Sequence, residues 1–261
     1  MGVLQFDGTD DRLKWTTLAS PLSNASNGAW TIAALVKRGH VNPAGEWDAI
    51  CFLLSGTGSG TAEAGLSFDE DDYLSVDLHA TDALSSPTTF TNTTSPYMLV
   101  VSKGAGTVAP RLAWKLGSAG SWTHLNMTQT VPDGLAATMM EIGAWLTGDP
   151  FQGHIGVIAW WEGAMSDANK EALDNNWRTS DWYNSAHGTP VFLAELNVAG
   201  ASVVDLIGNA TSLSATGTTL DGGETLDSWN FDGTGAAGRT KLNTRSNPLG
   251  MEIGMGWRMN L

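Results

Sequence analysis

Cysteine is almost absent from this chain: Cys51 is the single one in 261 residues. No disulfide can form within the chain. Cys51 lies in the apolar run Ala49–Leu54, where a thiol serves as a small hydrophobe, and no local histidine stands ready to activate it. Positive charge is also scarce. Lys and Arg number 13 against 27 Asp and Glu, a net charge of −14. A chain so acidic is repelled by a phosphate backbone, so nucleic acid is not an expected partner. No stretch approaches the ~18 apolar residues of a membrane span, and no membrane partner is expected. The opening MGVLQFDGTDDRLKW has neither a basic start nor an apolar signal core. Phe6 stands where a myristoylation signal needs Ser or Thr. The expectation is a protein made in a cytoplasm and not secreted by a recognisable route.

Catalytic signatures are missing as well. His40, His79, His124, His154 and His187 are scattered, with no H-x-H or H-x-x-x-H pair to hold zinc. The run Gly56–Gly60 lacks the Lys-Ser/Thr ending of a phosphate loop, and no G-x-S-x-G elbow occurs. The chain is expected not to be an enzyme.

What it does have is glycine, 31 residues of it, with Ser and Thr between short apolar runs. That mixture suits many turns and short strands. Strands are expected at Val3–Phe6, Arg12–Trp15, Trp30–Lys37, Ala49–Leu54, Ala64–Phe68, Tyr73–Leu78, Tyr97–Lys103, Arg111–Leu116, Trp122–Met127 and Met139–Trp145. Phe151–Trp177 reads as a strand alternating Ile155, Val157, Ala159 and Trp161, a Glu162-Gly163 break, and a helix capped by Ser166. Later strands are expected at Val191–Leu196, Ala201–Leu206, Ser212–Leu220 and Thr225–Phe231. Turn signals every ten to fifteen residues point to an all-β fold of two antiparallel sheets in a sandwich, with one short helix and a C-terminal β extension.

The organisation divides into 1–185 as the sandwich, 186–232 as strands completing or extending it, and 233–261 as a C-terminal arm. The arm carries Arg239, Lys241, Arg245 and Arg258 against Glu252 alone, a basic segment on an acidic protein. Met251, Ile253, Met255, Trp257 and Met259 alternate along it. Such a strand either wraps its own domain or docks on a neighbouring subunit's edge.

Two stretches carry a resemblance. Leu4–Trp15, LQFDGTDDRLKW, resembles the opening strand and turn of concanavalin A-like domains of the laminin-G type. Phe151–Trp177 resembles their late signature: F-x-G-x-I, an apolar strand, then a short Ser-capped helix. The resemblance covers roughly residues 1–180 and implies a jelly-roll sandwich. It implies no single activity. Where relatives often carry an acidic pair in the late strand, this chain has Ile155-Gly156-Val157-Ile158, so a metal site is not inherited there. With its C-terminal β segment, the chain resembles minor tail and decoration proteins of tailed bacteriophages.

Candidate sites follow. No cofactor is expected apart from calcium, which the turn acids Asp69, Asp71 and Asp72 are candidates to bind; Asp7, Asp10 and Asp11 form a second acidic group. Tryptophan is the compositional outlier, at 12 residues. Trp30, Trp114, Trp145, Trp160 and Trp161 fall in strand patterns and read as core. Trp47, Trp122 and Trp182 fall nearer loops and are the candidates for contact with a sugar or a partner. The expected function is a non-enzymatic structural protein of a bacteriophage virion, with the sandwich exposed and the arm mediating assembly. Its partners would be other virion proteins and copies of itself. The alternative is a carbohydrate-binding module for host surface glycans.

Overall fold

The computed structural model describes residues 2–225, apart from 25–27, 43–44, 56–61, 79–80, 118–119, 134–135, 146–147, 176–181, 183–184, 186 and 198–201. The strands are β1 (Gly2–Asp7), β2 (Arg12–Leu18), β3 (Trp30–Arg38), β4 (Asp48–Leu54), β5 (Ala62–Phe68), β6 (Tyr73–Leu78), β7 (Thr81–Thr89) and β8 (Tyr97–Lys103). They continue as β9 (Arg111–Leu116), β10 (Thr123–Asn126), β11 (Met139–Ile142), β12 (Gln152–Glu162), β13 (Phe192–Glu195), β14 (Ala210–Thr216) and β15 (Thr219–Thr225). One helix, α1 (Asp167–Asn175), follows β12.

Two antiparallel sheets face each other. The eight-stranded sheet runs β10-β9-β8-β3-β12-β1-β15, with β13 paired to β12 beside β1. The seven-stranded sheet runs β14-β2-β11-β4-β5-β6-β7. The chain crosses between sheets at the Asp7–Asp11 turn, and again between β14 and β15. Period-two alternation sends one face of each strand inward, so Leu13, Trp15, Ile32, Leu66, Val76, Leu99 and Ile158 share one core. Tryptophan fills much of it: Trp30 packs on Trp160 at 5.7 Å and Trp15 on Phe192 at 5.4 Å.

The outer face of the eight-stranded sheet is also covered. Val157, Ala159 and Trp161 of β12 meet Met165 and Leu173 from α1 and its approach, with Trp182 above them. That explains why β12 is apolar on both faces. Ser166 caps the helix, accepting the N–H of Asn169 at 3.3 Å. Gly156 has a separate task. The β12–β3 register shifts between Ile155 and Val157, and the Gly156 carbonyl accepts the Leu196 N–H at 2.8 Å. One bulged glycine thus divides β12 between β1 on one side of it and β13 on the other.

Three expectations need correction. Thr81–Thr89, a Ser/Thr/Pro stretch without apolar alternation, pairs with β6 as a strand. Of the strand expected at Ala201–Leu206, the described residues 202–206 are not a strand. The carboxylate of Asp205 there accepts the N–H groups of Leu193, Ile207, Asn209 and Ala210 at 2.7–3.1 Å, which ties the segment into a turn. The Ser212–Leu220 strand is two strands in two different sheets, because Gly217, at φ +70°, reverses the chain between them.

Candidate functional site

The acidic turn between β5 and β6 is built as a counter-ion. Arg38, fully buried at the end of β3, donates to Asp72 at 2.7 Å, to Asp48 at 2.9 Å and to the Phe90 carbonyl at 2.7 Å. Its guanidinium carbon lies 4.4 Å from the centre of the Phe68 ring. Asp69 folds back on its own turn, accepting the N–H groups of Asp71 at 3.0 Å and Tyr73 at 2.8 Å. Burial pushes the Asp69 carboxyl up from its ordinary value, against those two hydrogen bonds. Asp71 is exposed. Asp69, Asp71 and Asp72 therefore do not converge on one ion. Two of the three carboxylates expected to bind calcium are engaged by Arg38 and by the turn backbone.

Asp7, Asp10 and Asp11 do converge. One carboxylate oxygen from each lies within 4.8 Å of the others. The β1–β2 turn places them: Asp7 Oδ1 accepts the Thr9 N–H at 2.8 Å, and Asp11 Oδ2 accepts the Asp7 N–H at 2.6 Å. Asp7 and Asp10 are exposed and Asp11 is buried. Burial pushes the Asp11 carboxyl up, and the negative charges of Asp7 and Asp10 add to that. Gly217 makes the close approach possible, since a Cβ there would collide with the Asp11 carboxylate. Beside the cluster is a cavity of about 180 Å³ lined by Thr9, Asp10, Arg12, Ala144, Gly148, Pro150 and Thr216. Hard oxygen ligands from three carboxylates suit a calcium ion.

The tryptophans separate by burial. Trp182 is fully buried; its indole N–H donates to the Leu173 carbonyl at 3.3 Å, and its ring packs 6.1 Å from Trp161. It is part of the layer under α1, and its assignment to ligand contact is corrected accordingly. Trp47 is half-buried just before β4. Trp122 is half-buried at the start of β10 and lies over His124, 6.3 Å away and 25° from parallel. His124 in turn contacts Glu171 at 2.7 Å and Asp167 at 3.4 Å, while Arg111 pairs with Asp167. Met251, Ile253, Met255, Trp257 and Met259 lie outside the described residues.

Sequence reasoning missed the buried charges. Arg38, Lys170 and Glu141 are all fully buried; Glu141 pairs with Lys14 across β2 and β11 at 3.0 Å. The signal available was scarcity. With 13 cations among 261 residues, a lone Arg ending an apolar strand is a candidate for an internal ion pair.

No family model matches the chain, and no curated protein matches it. Solved structures do share its fold. A native heptameric SAP-like pentraxin from Limulus polyphemus overlaps 83% of this chain and 93% of its own, at 13% identity and a TM-score of 0.50. The fold is a jelly-roll sandwich. The CBM40 of a Ruminococcus gnavus IT-sialidase, solved with alpha2,3 sialyllactose, overlaps 66% of this chain and 99% of its own, at 11% identity and a TM-score of 0.41. Tailspike protein 2 of Escherichia coli O157:H7 bacteriophage CAB120 overlaps 76% of this chain but 27% of its own, at 14% identity and a TM-score of 0.46. Identities this low speak to the fold and not to a shared activity.

Proposed function

We propose that this chain is a non-enzymatic structural protein of a bacteriophage virion, in the tail or as a surface decoration. The sandwich is the exposed module and residues 233–261 are the assembly arm. The observation that carries the reading is the split of charge along the chain. Residues 233–261 hold four cations and one acid, net +3, so the rest carries −14 − 3 = −17. A basic, apolar-alternating segment on an acidic body is suited to docking and poorly suited to standing free in water. The buried acids support a structural role: Asp48 and Asp72 serve Arg38, Glu141 serves Lys14, and Asp205 serves four backbone N–H groups. The virion part rests on the resemblance of a laminin-G-like domain extended by a C-terminal β segment to minor tail and decoration proteins of tailed bacteriophages. Calcium at Asp7, Asp10 and Asp11 is the one cofactor in this reading. The test is incorporation: full chain carrying Ile253→Asp and Trp257→Asp should stay folded but be lost from particles. Normal incorporation of that variant would remove the arm's role.

The second reading is recognition of host glycans, favoured by the half-buried Trp122 lying nearly flat on His124 beside charged neighbours. A glycan array would report it. Binding that disappears with Trp122→Ala but persists with Trp47→Ala would place the sugar at β10, and an array without hits would end this reading.

A further inference from the structure

We infer that the outer edge of β14 is the seat of the C-terminal arm of a second copy of this chain, which adds there as an extra strand of the seven-stranded sheet. The inference rests on the assembly-arm reading: an arm that joins copies cannot be occupied by its own sandwich. β14 is the end strand of its sheet, and among the described residues it pairs on one side only, with β2. Edge strands are usually protected by charge, by proline or by brevity. β14 has none of these. Its sequence is ATSLSAT over seven residues, without a charge or a proline.

The edge is also incompletely covered. Leu213 and Ala215 turn inward, and with Leu18 they are only half-buried where they meet the core. Ser212 and Ser214 turn outward and are exposed. Ser212, at φ +61°, kinks the strand, which leaves Leu213–Thr216 as its straight portion. A strand added here needs one apolar face, to close over Leu213 and Ala215, and one small or polar face toward water. Leu249–Met259 has that pattern. Met251, Ile253, Met255 and Trp257 alternate with Glu252, Gly254, Gly256 and Arg258.

Charge agrees with the placement. The Thr216 end of β14 borders the same cavity as Asp10, and the adjoining Gly217 is packed against the Asp11 carboxylate. Arg245 and Arg258 flank or sit within the arm's alternating run. Two sandwich bodies of like net charge repel each other, and a basic arm passing from one to the other offsets that repulsion.

Cross-linking in the full chain tests the seat, because Cys51 is buried and leaves introduced thiols as the reactive ones. One tagged copy carries Ser214→Cys in β14. A differently tagged copy carries Gly254→Cys or Gly256→Cys in the arm. Mild oxidation should give a covalent dimer containing both tags, at least tenfold more than with Asn126→Cys on β10, an edge strand of the eight-stranded sheet. Met255→Pro in the arm should abolish it without changing the thermal midpoint. Equal yields at β10 and β14, or no dimer at all, would overturn the β14 seat. If Ile253→Asp with Trp257→Asp still removes the chain from particles, the arm reading survives that failure. A doubly substituted chain that cross-links only within itself would overturn the second-copy occupant.

Discussion

Arg38 is the residue on which most of one end of the sandwich depends. Its guanidinium neutralises Asp48 and Asp72 inside the protein and holds Asn42, whose N–H also donates to Asp72 at 2.9 Å. Arg38→Met removes one partner of a buried pair and strands two carboxylates. The expected cost is about 3–5 kcal/mol by urea denaturation at pH 7. The sign of its pH dependence follows from Asp48, whose carboxyl burial pushes up despite the attraction of Arg38. A folded-state value above the unfolded one means that protonation favours the fold, and stability is lost as pH rises through it. The deficit of Arg38→Met should therefore shrink as pH falls through the carboxylate range. A deficit that grows on acidification would show that the pair is not the cause. Lys170 tests the opposite sign. Its ammonium is fully buried under α1, donates to the Arg111 carbonyl at 3.1 Å, and lies 3.5 Å from Asp167. Burial pushes it down from 10.5 to about 8. Between those values the unfolded chain binds more protons, so wild-type stability rises with pH across that window. Lys170→Met should be more stable than wild type at pH 7, by up to about 3 kcal/mol. The gap should close near pH 10.5. An equal gap at pH 7 and pH 10.5, read from urea midpoints, would contradict the assignment.

At the scale of elements, the β1–β2 turn is the one that gathers three carboxylates among the described residues. Calcium at millimolar concentration should raise the thermal midpoint of the full chain, and Asp10→Asn should remove most of the rise. Asp71→Asn should leave it intact. Binding should weaken on acidification, because the Asp11 carboxyl is pushed up by burial and must lose its proton to ligate. A midpoint unmoved by calcium would dismiss the site. The strands themselves were largely legible. Trp30–Lys37, Ala49–Leu54, Tyr97–Lys103 and Ile155–Trp161 carry strong apolar weight, and all are strand segments buried on both faces. The misses have physical reasons. β7 draws its order from pairing with β6 and not from its own alternation, which no local pattern reveals. Segment 201–206 alternates like a strand, but one buried carboxylate, Asp205, captures four N–H groups that a ladder would need. The candidate sites were harder for the same reason. Asp69–Asp72 and Asp7–Asp11 look alike as acidic turns, and only the arrival of Arg38 from a distant strand separates a counter-ion from an open ligand cluster. Trp182 looked like a loop residue because its burial comes from α1 and β12 folding over it.

For the whole molecule, the pairing scheme shows how the late strands support the early ones. β15 reaches Thr225 and pairs with β1, β14 pairs with β2, and β13 pairs with β12, so the late strands knit the first strands and the middle of the chain into both sheets. Truncation before β14 should therefore be severe. It would expose the flank of β2, where Leu13 and Trp15 are buried, and burial of each such side chain contributes about 1.5–3 kcal/mol. Removal of 233–261 touches none of these described pairings. A chain of residues 1–232 should keep its β-rich circular dichroism and a single cooperative melt within a few degrees of the full chain. It should also carry the full −17 charge with no basic segment to offset it, so it should remain dispersed at low salt, where the full chain is expected to associate. Sedimentation at low and high salt measures this. Salt should weaken association of the full chain if the arm acts through charge, and should leave it unchanged if the apolar face of Met251–Met259 dominates. A truncated chain that melts far earlier would mean that the arm belongs to its own sandwich, and that assembly has another seat.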